Sequence, residues 1–181
     1  MTEPHASWAD IYDLVYEESF GKFYDALTNA TIDQIKKTVQ PPASIVDFGA
    51  GTGRLSIPLA AHGYIVRAVE PCQEMYDQLR DKPGGEAISR FIGKMEDFET
   101  DTRFDMAICV FTVLLYLPDE TSLRASLEAA YKSLRSGGYL LIDVPLRDIF
   151  NSFQSTTNLV QRDVTVTPGH NDTYYMKKRA R

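Results

Sequence analysis

Residues 44–60 read SIVDFGAGTGRLSIPLA, and the interpretation of the whole chain starts from this stretch. Ile45, Val46 and Phe48 form a short apolar run behind a pair of prolines, which indicates a buried strand. Three closely spaced glycines follow, and then an amphipathic run, so the stretch predicts a strand, a tight turn and a helix. Glycine tolerates positive φ and has no Cβ, so the backbone can approach a ligand closely at such a turn. The stretch therefore predicts a site for a nucleotide-like ligand, although a tight structural connection would need the same residues.

The glycine spacing distinguishes between known kinds of ligand-binding turn. Gly49, Gly51 and Gly53 give the pattern G-x-G-x-G. A dinucleotide fingerprint, G-x-G-x-x-G, would need its third glycine at Arg54 or Ser56. A phosphate-binding loop needs Gly-Lys-Ser/Thr, whereas Gly53 is followed by arginine and leucine. Neither pattern is therefore present.

Two acids accompany the turn. Asp47 precedes Gly49 by two residues, and Glu70 ends the predicted strand YIVRAVE, residues 64–70. Together with the glycines they resemble the first two motifs of class I S-adenosylmethionine-dependent methyltransferases, in particular those that act on small molecules. The resemblance implies that Glu70 accepts hydrogen bonds from a ribose diol. An acid near this distance also suits NAD sites, so an NAD(P)-dependent oxidoreductase is an alternative.

The resemblance covers about residues 12–145 and implies S-adenosyl-L-methionine as the cofactor. In the segment GKMEDF, Lys94 stands where an acid is common, and an ammonium offers no acceptor to the adenine amino group. We therefore expect Glu96 to accept from the adenine amino group. The alternative is that the segment GKMEDF is only a solvated turn. The residues expected to bind the cofactor are Asp47, Gly49, Ala50, Gly51, Thr52, Gly53, Glu70, Pro71, Met75, Met95, Glu96, Val110 and Phe111.

Strands and helices alternate along the middle of the chain. Residues 104–111, FDMAICVF, are almost continuously apolar, as in a parallel strand covered on both faces. Further strands are expected at 87–92 and 139–144, the latter after a helix at 121–134 and a stop signal RSGG. The alternation predicts an α/β fold with a Rossmann-like, doubly wound, mostly parallel sheet. Such a sheet binds ligands at the carboxyl ends of its strands.

The N-terminal residues 8–39 have helical periodicity, and Gly21 is expected to break the helix in two. The segment WADIYDLVY resembles the lid that folds over the cofactor in small-molecule methyltransferases. We therefore predict one domain over residues 1–181, with a helical lid at 1–40, a cofactor-binding core at 41–145 and an accessory helix and hairpin at 146–181.

The C-terminal segments LVQRDVTV and TYYMKKRAR do not have the continuous apolar character of a buried strand. We expect an accessory β-hairpin near the mouth of the site, with a terminal strand pair of the main sheet as the alternative. A hairpin would leave the strand at 139–144 with an open edge. That edge predicts either a natural chain that continues past Arg181 or a homodimer.

Methyl transfer from a sulfonium depends mainly on orientation, which alone can lower the barrier by about 7–11 kcal/mol. A neutral amine acceptor needs no base, whereas a hydroxyl does. The polar side chains considered for that role are Tyr12, Tyr16, Tyr116, Asp143 and His170. Many similar enzymes carry a histidine near the position of Tyr116. The segment CVFTVLLYLPD, which contains Tyr116, has none. The predicted function is methyl transfer to nitrogen or oxygen of a small molecule, and the alternative is a non-catalytic protein that binds S-adenosylmethionine or a nucleoside.

The composition of the chain limits the kinds of partner that it is expected to bind. The 181 residues carry a net charge of −6, so a nucleic-acid partner is disfavoured. The first residues do not form a signal peptide, and no apolar run reaches the about 18 residues of a membrane span. We therefore expect a cytoplasmic protein without a membrane partner. Cys72 and Cys109 are interpreted as reduced thiols, and the lack of clustered ligands disfavours a metal.

Overall fold

The computed structural model describes residues 5–144 and the backbone of two C-terminal strands, residues 164–168 and 174–178. The α-helices are α1 (Tyr12–Thr38), α2 (Ser56–Ala61), α3 (Gln73–Asp81) and α4 (Glu120–Ser133). The strands are β1 (Ser44–Phe48), β2 (Ile65–Glu70), β3 (Ser89–Ile92), β4 (Phe104–Cys109), β5 (Leu134–Ile142), β6 (Val164–Pro168) and β7 (Tyr174–Lys178). Short 3₁₀ helices lie at Ala6–Ile11, Gly85–Ala87, Met95–Asp97 and Val113–Tyr116.

Strands β1 to β5 form one parallel sheet in the order β3-β2-β1-β4-β5. Strand β1 is central, and its Asp47 lies opposite Ala68 of β2 and Ile108 of β4. The direction of winding reverses between β1 and β4, which is where open α/β sheets bind their ligands. The predicted Rossmann-like, doubly wound sheet is therefore confirmed.

Helices cover both faces of the sheet, as expected for strands that are apolar on both sides. On one face Ile45 packs in a cluster with Ile35 of α1 and Leu59 of α2. On the other face Phe48 packs in a cluster with Ala130 of α4. Because successive residues of β1 point to opposite faces, this strand holds the two halves of the core together.

The predicted boundary between the last helix and strand was wrong. The helix α4 ends at Ser133, within one residue of the prediction, but the strand does not wait until 139 to begin. The RSGG segment lies inside β5, which starts at Leu134 and ends at Ile142. Strand β4 pairs with β5 at Phe104 and Leu134, and the ladder resumes at Met106 and Tyr139 after a bulge. A Cβ on Gly138 would lie 3.2 Å from the carbonyl oxygen of Asp105, so the glycine permits this close strand pairing. Strand β3 is also two residues shorter than predicted.

The N-terminal helix bends at the predicted glycine. Gly21 has φ 45° and ψ −126° inside α1, a conformation that glycine adopts without a Cβ clash. The break expected from the sequence is therefore confirmed, and it divides α1 into two segments that follow different directions.

Strands β6 and β7 pair antiparallel as a separate two-stranded sheet, which confirms the C-terminal hairpin. Its placement near the mouth of the site stays a prediction. The accessory helix, His170 and the ends of the predicted tail strands fall in residues 145–163, 169–173 and 179–181, outside the described residues. Cys72 and Cys109 are both buried free thiols. Among the described helices, none combines the length and the apolar character that crossing a membrane requires.

Candidate functional site

A cavity of about 220 Å³ lies at the carboxyl ends of β1, β2 and β4, beneath the N-terminal helices. Most of the residues that the sequence predicts for the cofactor line it, namely Gly49, Ala50, Gly51, Thr52, Glu70, Pro71, Met75, Met95, Glu96, Val110 and Phe111. Asp47 and Gly53 are the two predicted residues that do not line the cavity. The sheet therefore brings nearly the whole predicted set to one place.

The three glycines of the turn after β1 all have positive φ, at 72°, 56° and 85°. A Cβ on Gly49 would lie 2.5 Å from Val113, and one on Gly53 would lie 2.7 Å from Leu79. At Gly51 the nearest atom would be the Met75 methyl group at 3.5 Å. The outer two glycines therefore permit close packing, and the central one faces the cavity.

Glu70 ties the turn to the next strand. Its side chain is 7% exposed, and its two oxygens accept hydrogen bonds from the backbone nitrogens of Gly51 at 2.8 Å and Cys72 at 3.0 Å. A carboxylate has about four acceptor directions, and Glu70 lines the cavity. The acid thus has the position and the capacity to hold a diol.

Asp47 lies below the turn, with 3% of its surface exposed. Ser56, at the start of α2, donates a hydrogen bond from Oγ to its Oδ2 at 2.6 Å. Burial raises the pKa of Asp47 to about 7, the Ser56 hydrogen bond opposes this rise, and the charge of Glu70 adds to it. Asp47 therefore holds α2 against the end of β1, and its role in binding the cofactor stays a prediction.

The loop after β3 supplies the far wall of the cavity. Met95 is buried, and both Lys94 and Glu96 line the cavity beside it. Ser126 of α4 donates from Oγ to Glu96 Oε2 at 3.3 Å, which orients that carboxylate. Glu96 thus lines the cavity, and its role as the acceptor for a purine amino group stays a prediction. Lys94 is a cavity residue that the sequence argument had set aside.

The N-terminal helices close the cavity from above. Thr52 of the glycine turn donates from Oγ1 to Asp13 Oδ1 at 2.6 Å. Lys82 forms an ion pair with the other oxygen of Asp13 and donates to the carbonyl oxygen of Thr52 at 2.8 Å. These contacts fix the first segment of α1 against the glycine turn.

Arg54 fixes the second segment of α1. Its guanidinium carbon lies 2.9 Å from the ring centroid of Tyr24 and 3.8 Å from that of Phe111. Its Nε donates to Thr28 Oγ1 at 2.7 Å, and a terminal nitrogen donates to the carbonyl of Tyr24. Sequence reasoning used Arg54 only to exclude a dinucleotide fingerprint and a phosphate loop, since nothing in the local pattern indicates which rings it meets.

A strained turn places Phe111 over that arginine. Phe111 and Thr112 both have φ of 65°, the left-handed region that side chains rarely adopt. Asp143 stabilises the turn, because its two oxygens accept from the nitrogens of Phe111 at 2.7 Å and Thr112 at 2.9 Å. This carboxylate, considered above as a base, is therefore engaged in shaping the site.

Two of the tyrosines considered for catalysis, Tyr12 and Tyr16, belong to an aromatic row that also contains Trp8 and Tyr24. Tyr12 and Tyr116 line the cavity, and Tyr16 stacks on Tyr12 with ring centroids 4.4 Å apart. Burial, reinforced by Tyr16, raises the pKa of Tyr12 far above its ordinary range. Tyr12 therefore stays protonated, and its ring contributes apolar surface to the cavity. His5 and Tyr24, which the sequence argument did not select, also line the cavity.

Comparisons with known proteins give one consistent answer. A family model described as a methyltransferase domain matches residues 45–138. A protein of Geobacillus sp. (strain WCH70), provisionally named a methyltransferase, is 31% identical over 139 residues, which are 70% of this chain and 56% of the relative. The protein YqeM of Bacillus subtilis (strain 168), also provisionally named a methyltransferase, is 27% identical over 138 residues, 72% of this chain and 56% of the relative. The chain thus spans little more than half the length of these relatives.

Two solved structures share both fold and sequence with this chain. CalS10 of Micromonospora echinaspora, an amino pentose methyltransferase of calicheamicin biosynthesis solved with bound S-adenosylmethionine, is 26% identical with a TM-score of 0.66. The match covers 75% of this chain and 56% of that protein. The sugar N-methyltransferase KedS8 of Streptoalloteichus sp. ATCC 53650 is 28% identical with a TM-score of 0.61, over 73% of this chain and 52% of that protein.

Proposed function

The chain belongs to the class I S-adenosylmethionine-dependent methyltransferase family, and we propose that it binds S-adenosylmethionine in the cavity beneath the N-terminal helices and directs methyl transfer to a nitrogen or oxygen of a small molecule. The observation that carries the proposal is the contact of Glu70 with Gly51 at the carboxyl end of the sheet. It joins the glycine turn and the acid of the next strand into a single site.

The residues present fit this cofactor. Glu70 would accept hydrogen bonds from the ribose hydroxyls, and Gly51 leaves room for the cofactor beside it. Glu96 would accept from the adenine amino group, with Met95 packed against the purine. The bound cofactor supplies a methyl group on a positively charged sulfur. Aromatic faces such as that of Tyr12 attract cations, so the aromatic row suits that charge.

The protein's contribution to the reaction is orientation and the exclusion of water. The contacts of Asp13 and Arg54 hold α1 over the cavity, and Tyr12 and Phe111 line it with apolar surface. A closed, apolar site keeps the acceptor and the methyl group in line, which is the main requirement for displacement at carbon.

Two solved structures support a small-molecule acceptor. One is named an amino pentose methyltransferase and the other a sugar N-methyltransferase. A small acceptor that carries an amine or a hydroxyl is consistent with those names.

The test is a methyl-transfer assay with a defined panel. The acceptors are a nucleotide-linked amino sugar, dopamine, a simple phenol and 4-nitrothiophenol, with radiolabelled S-adenosylmethionine as the donor. We expect S-adenosylhomocysteine to form with at least one of them. Calorimetric binding of S-adenosylmethionine without transfer to any acceptor would favour the alternative of a non-catalytic binding protein. Binding of NAD in its place would contradict the family-based proposal.

A further inference from the structure

The ring of His5 lies at the cavity, among the aromatic side chains of the N-terminal helices and of the turn after β4. Its centroid is 5.1 Å from that of Trp8, 5.3 Å from Tyr12 and 5.4 Å from Tyr116, each in an edge-to-face arrangement. His5, Tyr12 and Tyr116 all line the cavity. A histidine that is remote in sequence from the turn after β4 is therefore brought beside it by the fold.

The hydrogen bonding of this ring is incomplete. Nδ1 of His5 is buried, and within the described part of the chain it has no hydrogen-bond partner. Leaving a buried polar nitrogen unpaired is costly, and most such nitrogens in folded proteins have a partner. Nδ1 itself is out of reach from the cavity, so a molecule bound there meets the ring at its other nitrogen, Nε2.

We propose that His5 is the general base of the reaction and that its Nε2 takes the proton that the acceptor loses on methylation. The inference rests on the proposed methyl transfer and names a residue for a step that the sequence left without one. The bond from the acceptor's nitrogen or oxygen to the methyl carbon forms while the carbon–sulfur bond breaks. The electron pair of that bond stays on sulfur, and the acceptor's proton moves to His5.

The surroundings keep His5 ready for this role. Burial lowers its pKa below 6.5, so the ring is neutral near pH 7 and can accept a proton. The titratable groups that face it are the phenols of Tyr12 and Tyr116. The phenol of Tyr12 has its pKa raised far above neutrality by burial, so it does not compete as a base. Asp143 is also engaged, with the nitrogens of Phe111 and Thr112.

The first test compares an acceptor that must lose a proton with one that need not. Dopamine keeps protons on its amine and hydroxyls at neutral pH, whereas 4-nitrothiophenol reacts as a thiolate. His5→Gln should slow transfer to dopamine by about 10²-fold or more, the range for loss of a general base. It should leave transfer to the thiolate within about twofold. The matched control is His62→Gln, because His62 is exposed and contacts Lys36.

Chemical rescue separates catalysis from packing. Added imidazole should restore transfer to dopamine in His5→Ala, since the missing base can enter the space that the ring vacates. An equal loss with both acceptors, or no rescue, would overturn the role of His5. Failure of the wild-type protein to methylate any acceptor of the panel would instead overturn the proposed function.

A second measurement does not depend on turnover. In ¹⁵N-histidine-labelled protein with bound S-adenosylhomocysteine, one resonance should disappear in His5→Gln. That resonance should titrate below the ordinary histidine pKa of about 6.5 and show a single neutral tautomer at pH 7. A pKa above 7 would overturn the inference, because His5 would then be mostly charged when the acceptor arrives at neutral pH.

Discussion

The carboxylate of Glu70 accepts a hydrogen bond from the backbone nitrogen of Gly51 at 2.8 Å. The contact joins the end of β2 to the turn that leaves β1, and the other oxygen of Glu70 accepts from Cys72 at the start of α3. One buried acid therefore fixes three elements around the cavity. The ligand site and the fold share this residue, so changes near it must be tested for binding and for stability separately.

Substitutions at two glycines of the turn should affect different properties, cofactor binding in one case and stability in the other. In Gly51→Ala the added methyl group faces the cavity and must adopt φ of 56°, so we expect weaker cofactor binding with a modest loss of stability, about 1 kcal/mol. In Gly53→Ala the methyl group would lie 2.7 Å from Leu79, so the larger loss should be in stability. Calorimetry with S-adenosylhomocysteine and urea unfolding measure the two effects. The same ranking of both variants in both measurements would contradict this division.

Arg54 should be required for the closed position of α1. Arg54→Met keeps the apolar stem of the side chain and removes the guanidinium that Tyr24 and Phe111 enclose. Losing two ring contacts and the bond to Thr28 should lower the free energy of unfolding by about 1–3 kcal/mol. Amide hydrogen exchange should accelerate around residues 21–31. The control is Arg124→Met, which removes an exposed i,i+4 ion pair on α4 and should have little effect.

Asp143 should offset the strain in the turn after β4. Asp143→Ala removes both acceptors from the nitrogens of Phe111 and Thr112 and should cost about 2 kcal/mol or more. Adding Thr112→Gly should recover part of this loss, because glycine adopts the observed φ of 65° without strain. Urea unfolding of the single and double variants provides the measurement. A double variant no more stable than Asp143→Ala would show that strain is not what Asp143 offsets.

Asp47 should give the fold a measurable pH dependence. Burial raises its pKa in the folded state from 3.8 to about 7, so the folded state binds this proton more tightly than the unfolded chain. The stability that results is fully present below about pH 3.8 and is lost as the pH rises through about 7. The free energy of unfolding of the wild type should therefore rise, relative to that of Asp47→Asn, as the pH falls from about 8 to about 5. A difference between the two proteins that stays constant over this range would contradict the raised pKa.

Local sequence was enough to predict the centre of the fold. The apolar run of β1, the glycines after it and the acid at the end of β2 are contiguous signals, and the structure brings them together as expected. The contacts of Arg54 and His5 were not predictable in this way. Both depend on how α1 and the helix before it lie over the sheet, and that placement follows from packing between distant segments.

The error at β5 has a similar origin. Glycines in RSGG indicate a turn when they are considered alone, and a helix C-terminus just before them strengthens that interpretation. The strand forms because Leu134 pairs with Phe104 of β4 before the bulge and Tyr139 pairs with Met106 after it. Pairing across a sheet overrides local propensity, and it is not visible in a single segment.

The most direct test of the account is a calorimetric titration of S-adenosylhomocysteine into the wild type, Glu70→Ala and a control variant, Glu86→Ala, whose side chain is exposed. Losing charge-assisted hydrogen bonds worth about 1.5–3 kcal/mol should weaken binding by roughly 10- to 150-fold in Glu70→Ala. Circular dichroism should show that this variant stays folded, and Glu86→Ala should bind as the wild type does. Equal affinity in the wild type and a folded Glu70→Ala variant would contradict the assignment of this cavity as the S-adenosylmethionine site.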